Sequence, residues 1–391
     1  MARWQQVKIG DVCVVERGGS PRPIDKFITE DGNGINWIKI GDTTKSMYIT
    51  QTAQKIIPEG AKKSRFVQAG DFLLSNSMSF GRPYILSIDG CIHDGWLVLR
   101  DQNNMFDKHF LYYCLSAPVT YAKFKSMAVG GVVNNLNSEM VRNVEIPLPP
   151  LDEQRKIAAV LDKVSDLIAK RRQQLNKLDK LVKSRFIEMF GDPVTNPKGW
   201  PTCELSQHII FLTSGSRGWA KYFTDEGEYF ITIKNVKNCR ITLDDVQHIV
   251  PPNNAEAKRT RVQEGDLLIS ITADLGRTGV VTKEIANHGG YINQHLTCIR
   301  LNQSAVRSLY VAYYLESDAG KGQFQIKNQS AVKAGLNFNS INTLRLMVPP
   351  VDLQNTFISF VEQTDKSKLA VQQGLQELEI LKKSLMQEYF E

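Results

Sequence analysis

Residues 144–191, VEIPLPPLDEQRKIAAVLDKVSDLIAKRRQQLNKLDKLVKSRFIEMFG, decide how the chain is built. Stepping alternately four and three residues from Ile157 meets Leu161, Val164, Ile168, Arg171, Leu175, Leu178, Val182, Arg185 and Met189. Eight of these ten positions are apolar, which makes them the seam of a heptad repeat. Pro149 and Pro150 lack amide donors and suit a helix entry, and Gly191-Asp192-Pro193 stops the run. The spacing predicts one helix from Asp152 to Phe190. At its rise per residue such a helix would be roughly 55 Å long, so it needs a partner helix.

The partner lies 200 residues on, as Pro149 with Pro349 and Phe190 with Phe390 show. There the seam reads Phe357, Val361, Thr364, Lys368, Val371, Leu375, Leu378, Lys382, Leu385 and Tyr389. Seven of the ten are apolar or aromatic, so the second copy is weaker. Gly374 adds a penalty of about 1 kcal/mol in a helix interior. Charge favours pairing: residues 153–190 carry ten Lys/Arg against five Asp/Glu, and residues 353–390 carry four against five. Ile157, Leu161, Val164, Ile168, Leu175, Leu178 and Val182 are therefore expected to pack with Phe357, Val361, Val371, Leu375, Leu378 and Leu385.

The repeat extends beyond the helices. Gly19-Ser20 is matched with Gly215-Ser216, and Trp37–Asp42 with Phe230–Asn235. Gly70–Ser75 (GDFLLS) is matched with Gly265–Ser270 (GDLLIS), and Gly81-Arg82 with Gly276-Arg277. The expected plan is a globular unit over 1–150, a helix over 151–191, a second globular unit over 192–350 and a second helix over 351–391. Runs such as WIKI, DFLLS, YILSI and WLVLR, bounded by Gly, Asn and Asp, predict strands. Helices are expected at Asp107–Ser116 and Val306–Glu316. Each unit is expected to be α/β, with a curved, mostly antiparallel sheet.

The chain has 391 residues, 42% of them hydrophobic and 23% charged, as in a soluble globular protein with two or three cores. No apolar run is long enough to span a membrane, and the start does not read as a signal peptide. The six cysteines are scattered without a C-x-x-C pair, which suits reduced thiols in a cytoplasm and argues against a zinc or disulfide framework. A phosphate-binding P-loop and a G-x-S-x-G elbow are both missing. His93-Asp94 is the nearest thing to a catalytic pair, but Asn293-Gln294 replaces it in the repeat.

Polar and basic residues cluster in loops at matching places. The first unit offers Arg17, Ser20 and Arg22; Lys62, Lys63 and Arg65; and Asn76, Ser77, Ser79 and Arg82. The second offers Ser214, Ser216 and Arg217; Lys258, Arg259 and Arg261; and Thr272, Asp274 and Arg277. Arg and Lys reach phosphates and guanine edges, Asn reaches adenine, and Ser and Thr reach phosphates. A solvated loop explains any single cluster; recurrence of all three favours DNA. Each unit is mildly basic, with 17 Lys/Arg against 14 Asp/Glu over 1–150 and 17 against 13 over 195–350.

With Ile146–Gln154 (IPLPPLDEQ), Arg17–Pro23 (RGGSPRP), Gly70–Ser75 and Phe190–Pro193 (FGDP) in view, the whole chain resembles the specificity subunit of a type I restriction-modification system. The second copy departs from the pattern, with Leu353 where the first has Glu153. The resemblance implies an α+β fold of two target recognition domains separated by two long antiparallel helices in a pseudo-twofold repeat. It implies that each domain reads half of a split DNA site and that the helices dock two modification subunits. Those partners would carry S-adenosylmethionine and methylate adenine. Restriction subunits, where present, would add an ATP- and Mg-dependent nuclease. This chain would hold no cofactor or metal and catalyse nothing. If the helices set the gap, half-sites should lie roughly ten base pairs apart, centre to centre. A protein-interaction adaptor scaffold is the rival reading, and it would lack the steep salt dependence of DNA binding.

Overall fold

The computed structural model describes residues 4–76, 81–128, 135–329 and 335–391. Its compact units are Met1–Gln173 with Gln372–Glu391, and Gln174–Val371. Their boundaries fall inside the long helices, so each unit is a globular part with one end of the helix pair.

In unit 1 the strands β1 (Val14–Arg17), β2 (Phe72–Ser75), β3 (Pro83–Leu86) and β4 (Trp96–Arg100) form a sheet in the order β1-β4-β2-β3. These neighbours run antiparallel, and Tyr48–Ile49 adds a parallel edge beside β3. A second sheet holds Ile28–Thr29, Gln54–Ile56, Ile35–Ile38, Gly90–Ile92 and Arg65–Val67. The run WIKI is a strand only as far as Ile38, and a tight 3-10 turn takes over at Ile40.

The apolar runs of β2 and β4 are continuous because both faces are covered. Phe72, Leu74, Leu97 and Leu99 pack on helix α1 (Lys108–Ser116) and on the long helices, while Leu73, Trp96 and Val98 join Ile38, Val67 and Ile92 of the second sheet. Within this unit the start of α2 (Leu151–Phe190) shares a core with the end of a second long helix, through Ile157, Leu161, Met386 and Phe390.

Unit 2 repeats the scheme. Strands β5 (Ile209–Ser214), β6 (Leu267–Ser270), β7 (Thr278–Val280) and β8 (Leu296–Leu301) order as β5-β8-β6-β7. Helix α3 (Ser308–Glu316) covers one face, with Phe186 and Phe190 of α2 against Phe357 of α4 (Val351–Phe390). The start of α4 therefore meets the end of α2, as expected of an antiparallel pair.

Of the seam residues, Ile157, Leu161, Val164, Ile168, Val182, Phe357, Val361 and Val371 are buried. Leu175, Leu178, Leu375, Leu378 and Leu385 are half-buried. Burial is deepest where the helices also touch a globular part.

Three sequence motifs have structural explanations. Gly70 and Gly265 sit at φ +98° and +81°, which favours glycine. The next residue closes that turn: Asp71 accepts from the Gln68 amide, and Asp266 from the Gln263 amide. The same carboxylates clamp Arg100 and Arg300 on the neighbouring strand, at 3.1 and 2.8 Å. Ser75 and Ser270 accept the Arg82 and Arg277 amides at 3.0 and 2.9 Å, closing the loops after β2 and β6.

In both long helices the residue that grips the globular part is glutamine. Fully buried Gln154 accepts from the Asp107 amide and donates to the Met105 and Pro149 carbonyls. Fully buried Gln354 accepts from the Arg307 amide and donates to the Ala305 and Pro349 carbonyls. The Glu153/Leu353 difference leaves this grip intact.

The hydrogen bonds also move one expected match by a residue. The Gly18 and Gly19 amides donate to Trp96 and Ile92, whereas those of Gly215 and Ser216 donate to Leu296 and Ile292. Gly215-Ser216 therefore corresponds to Gly18-Gly19. Gly18 and Gly215 run so close to the neighbouring chain that an added Cβ would lie 2.1 Å from the His93 carbonyl oxygen or 2.0 Å from that of Asn293.

Candidate nucleic-acid interface

In unit 1 the sequence candidates Arg17, Ser20, Arg22 and Asn76 converge on Asp94, in the loop just before β4. The Ser20 hydroxyl donates to the Asp94 carboxylate at 2.8 Å and accepts the Asp94 amide at 3.2 Å. Arg22 lies 3.3 Å from the carboxylate. Arg17 and the buried Asn76 both donate to the Asp94 carbonyl, at 3.1 and 2.8 Å. Burial is the largest influence on the Asp94 carboxyl and acts to raise its pKa. The Ser20 hydrogen bond, then His93, the local backbone and Arg22, outweigh it and hold the group below its usual value.

The remaining unit 1 candidates divide. Arg65 is tied to Glu16 at 2.7 Å, and Lys63 lies 4.9 Å over the Phe27 ring. Lys62 and Arg82 are exposed, with no side-chain partner among the described residues. Ser77 and Ser79 lie outside the described residues.

His93 is not poised for proton transfer. Backbone amides of Ile40 and Gly95 face its two ring nitrogens at 3.3 and 2.6 Å, and burial, its largest influence, pushes the imidazole pKa down.

Unit 2 keeps the loop frame and changes its contents. His295 stands where unit 1 has Gly95, with its Nδ1 2.8 Å from the Thr272 hydroxyl and its Nε2 3.1 Å from the Gln294 side-chain amide. Ser216 is buried against Thr260, with the hydroxyls 3.3 Å apart. Arg259 folds back onto the Thr213 hydroxyl and the Ser214 carbonyl. Arg261 pairs with Glu228 at 3.2 Å, and Arg277 with Asp274 at 2.5 Å. Arg217 and Lys258 are exposed without a partner among the described residues.

Sequence reasoning missed one pairing that resembles a nucleophile with its base: the Cys203 sulfur lies 3.2 Å from His208 Nε2. Burial raises the thiol pKa and lowers that of the imidazole, so both shifts favour the neutral pair over an activated thiolate. No cluster of three or more His, Cys, Asp or Glu among the described residues could hold a metal ion. No described helix is long and apolar enough to cross a membrane.

Comparison with known proteins supplies the family. Residues 1–180 and 207–380 match the model of the type I restriction modification DNA specificity domain. The chain is 20% identical to the EcoBI specificity subunit of Escherichia coli, across 92% of this chain and 79% of that one. It is 22% identical to the MjaVIII specificity subunit of Methanocaldococcus jannaschii, across 68% of this chain and 63% of that one. Among solved structures, the S subunit from M. genitalium superposes with TM-score 0.56 at 14% identity, covering all of this chain and 96% of that one. A chain from a structure concerned with complex assembly and conformational transition of the type I R-M system gives TM-score 0.61 at 18% identity, covering all of this chain and 98% of the other. With one family model matching two successive stretches that together span most of its length, this chain belongs to the type I restriction-modification DNA specificity family.

Proposed function

We propose that this chain is the DNA-reading subunit of a type I restriction-modification complex, in which each unit recognises one half of a bipartite site. One observation carries the reading: a single loop frame recurs in both units with different polar residues mounted on it. Asp94 organises the first frame, and Asn293, Gln294 and His295 occupy the same stretch in the second. Two related frames with different side chains suit two different half-sites.

The chain is proposed to be non-catalytic. Adenine methylation would belong to two modification subunits carrying S-adenosylmethionine and docked on the helices. ATP and Mg would belong to restriction subunits, where those are present.

Mapping methylated adenines in the source genome, with and without this gene, tests the proposal. Loss of one split motif on deletion is expected, and an unchanged methylation map overturns it. Duplex binding by the assembled complex should weaken steeply with added salt, whereas an adaptor that binds only proteins would show no such slope.

A further inference from the structure

Unit 1 contains a cavity of about 600 Å³ beside the Arg82 loop. Lys45, Arg82 and Arg172 line it together with Tyr84, Tyr112 and Tyr121, and no carboxylate does so among the described residues. Lys45 and Arg82 are exposed, and neither side chain has an ion-pair or hydrogen-bond partner among the described residues. Arg172, on α2, pairs with Glu379 at 2.7 Å, but both side chains are about half exposed, so water screens the pair. Its guanidinium keeps further donors available. A recess lined by one sign of charge concentrates anions. Burial raises the Tyr112 pKa, so its phenol stays a neutral donor.

Unit 2 has a cavity against the corresponding helix, lined by charges of both signs. Glu316 and Lys321 line it, at the repeat positions of Ser116 and Tyr121 in the first cavity. Asp179 and Asp318 face Lys183 and Lys368 there, and Lys368 is held 2.6 Å from Asp179. By repeat position the two cavities share part of one wall, and among the described residues the unit 1 cavity is lined by cations without carboxylates whereas the unit 2 cavity is lined by both.

We propose that the unit 1 cavity is a nucleotide-phosphate site, in which Lys45, Arg82 and Arg172 hold a backbone phosphate of bound DNA. The tyrosines would cover the adjoining sugar or base. The proposal rests on the DNA-reading function and brings a residue of the long helix into contact with DNA.

The test is anisotropy of a fluorescein-labelled duplex of mixed sequence, titrated with the full-length chain over a series of KCl concentrations. Lys45→Gln and Arg172→Gln should each weaken binding and flatten the slope of log K against log salt by about one unit or less. Arg172→Lys should keep most of the slope. Glu379→Gln breaks the same ion pair as Arg172→Gln but should not flatten the slope.

Equal slopes in wild type, K45Q and R172Q overturn the site. Equal losses in E379Q and R172Q also overturn it, by making Arg172 a structural strap. Calorimetry with ATP alone separates the other source of phosphate: ATP binding abolished in K45Q and R172Q, with DNA slopes unchanged, overturns the DNA assignment. A wild-type chain that binds no duplex even with modification subunits present fails differently, because it removes the DNA-reading function itself.

Discussion

The two units share a frame and differ in what is fastened to it. Shared are the Gly-Asp turns, the serine-closed loops and the buried glutamines at the feet of α2 and α4. Different are the polar contents of the loops and the straps that bind each globular part to its stretch of helix. In unit 1 the strap is a chain of hydroxyls and imidazole: Tyr48 to His109 at 2.5 Å, His109 to Asp162 at 2.5 Å, and Tyr113 to Asp162 at 2.8 Å. In unit 2 it is ionic, with Arg240 of the globular part paired to Asp365 of α4. The frame keeps its backbone-directed contacts and the Asp–Arg clamp beside each Gly-Asp turn, while the loop contents and the straps to the helix diverge.

The strongest way to break this comparison is to remove the shared glutamines. Gln154→Ala leaves the Asp107 amide and two carbonyls without their partner, and Gln354→Ala does the same at Arg307. Each should cost about 2–3 kcal/mol, the penalty for orphaned buried polar groups. Urea unfolding of the full chain measures it. A large loss at one position and none at the other would show that the frame is not energetically shared.

The next test concerns Arg82 and Arg277, which occupy matching positions but differ in freedom. Arg82 has no side-chain partner among the described residues, whereas Arg277 is engaged by Asp274. Arg82→Ala should weaken duplex binding about uniformly across sequences and flatten the salt slope by about one unit or less, as the loss of a phosphate contact does. Arg277→Ala should do less, because Asp274 already holds its guanidinium. Salt titrations of the assembled complex with each variant compare the two, and a larger effect at Arg277 would contradict the ranking.

Straps come third. Asp162→Ala and Asp365→Ala should each loosen their own unit by about 1 kcal/mol, since the groups are partly exposed. The Asp365→Ala effect should shrink in high salt, because an ion pair is screened, and the Asp162→Ala effect should shrink less. Hydrogen exchange in α1 and α3 reads the two units separately; identical salt responses would show that the straps are equivalent.

Much of the architecture was legible in the sequence because it rests on periodicity and repetition. The seam from Ile157 and its copy 200 residues later locate both long helices to within a residue of their observed starts. The site was less legible, because its organisation comes from residues far apart in the chain. Asp94 gathers Arg17, Ser20, Arg22 and Asn76 from two distant loops, and nothing local signals that role. Arg65 and Arg261 look like free cations until Glu16 and Glu228 are folded against them. Gln154 reads as one more polar residue in a helix first turn. Its burial depends on the Met105–Asp107 segment that packs over it.

The smallest effect sharpens the comparison between the helices themselves. Gly374 lies in the interior of α4, at the repeat position of Gln174 in α2. A Cβ added there would meet only the Arg171 Nε, at 3.9 Å, an ordinary van der Waals distance. No steric reason for glycine exists at this point, so its backbone freedom in the unfolded chain is pure loss. Gly374→Ala should therefore stabilise the protein by about 0.5–1 kcal/mol. For a unit of this size that raises the midpoint of thermal unfolding by about 2–4 °C at most. Differential scanning calorimetry of the full chain measures the shift. A lowered midpoint would mean that the close approach of α2 at Arg171 needs the missing side chain, and that the weaker second helix is adapted to its partner there.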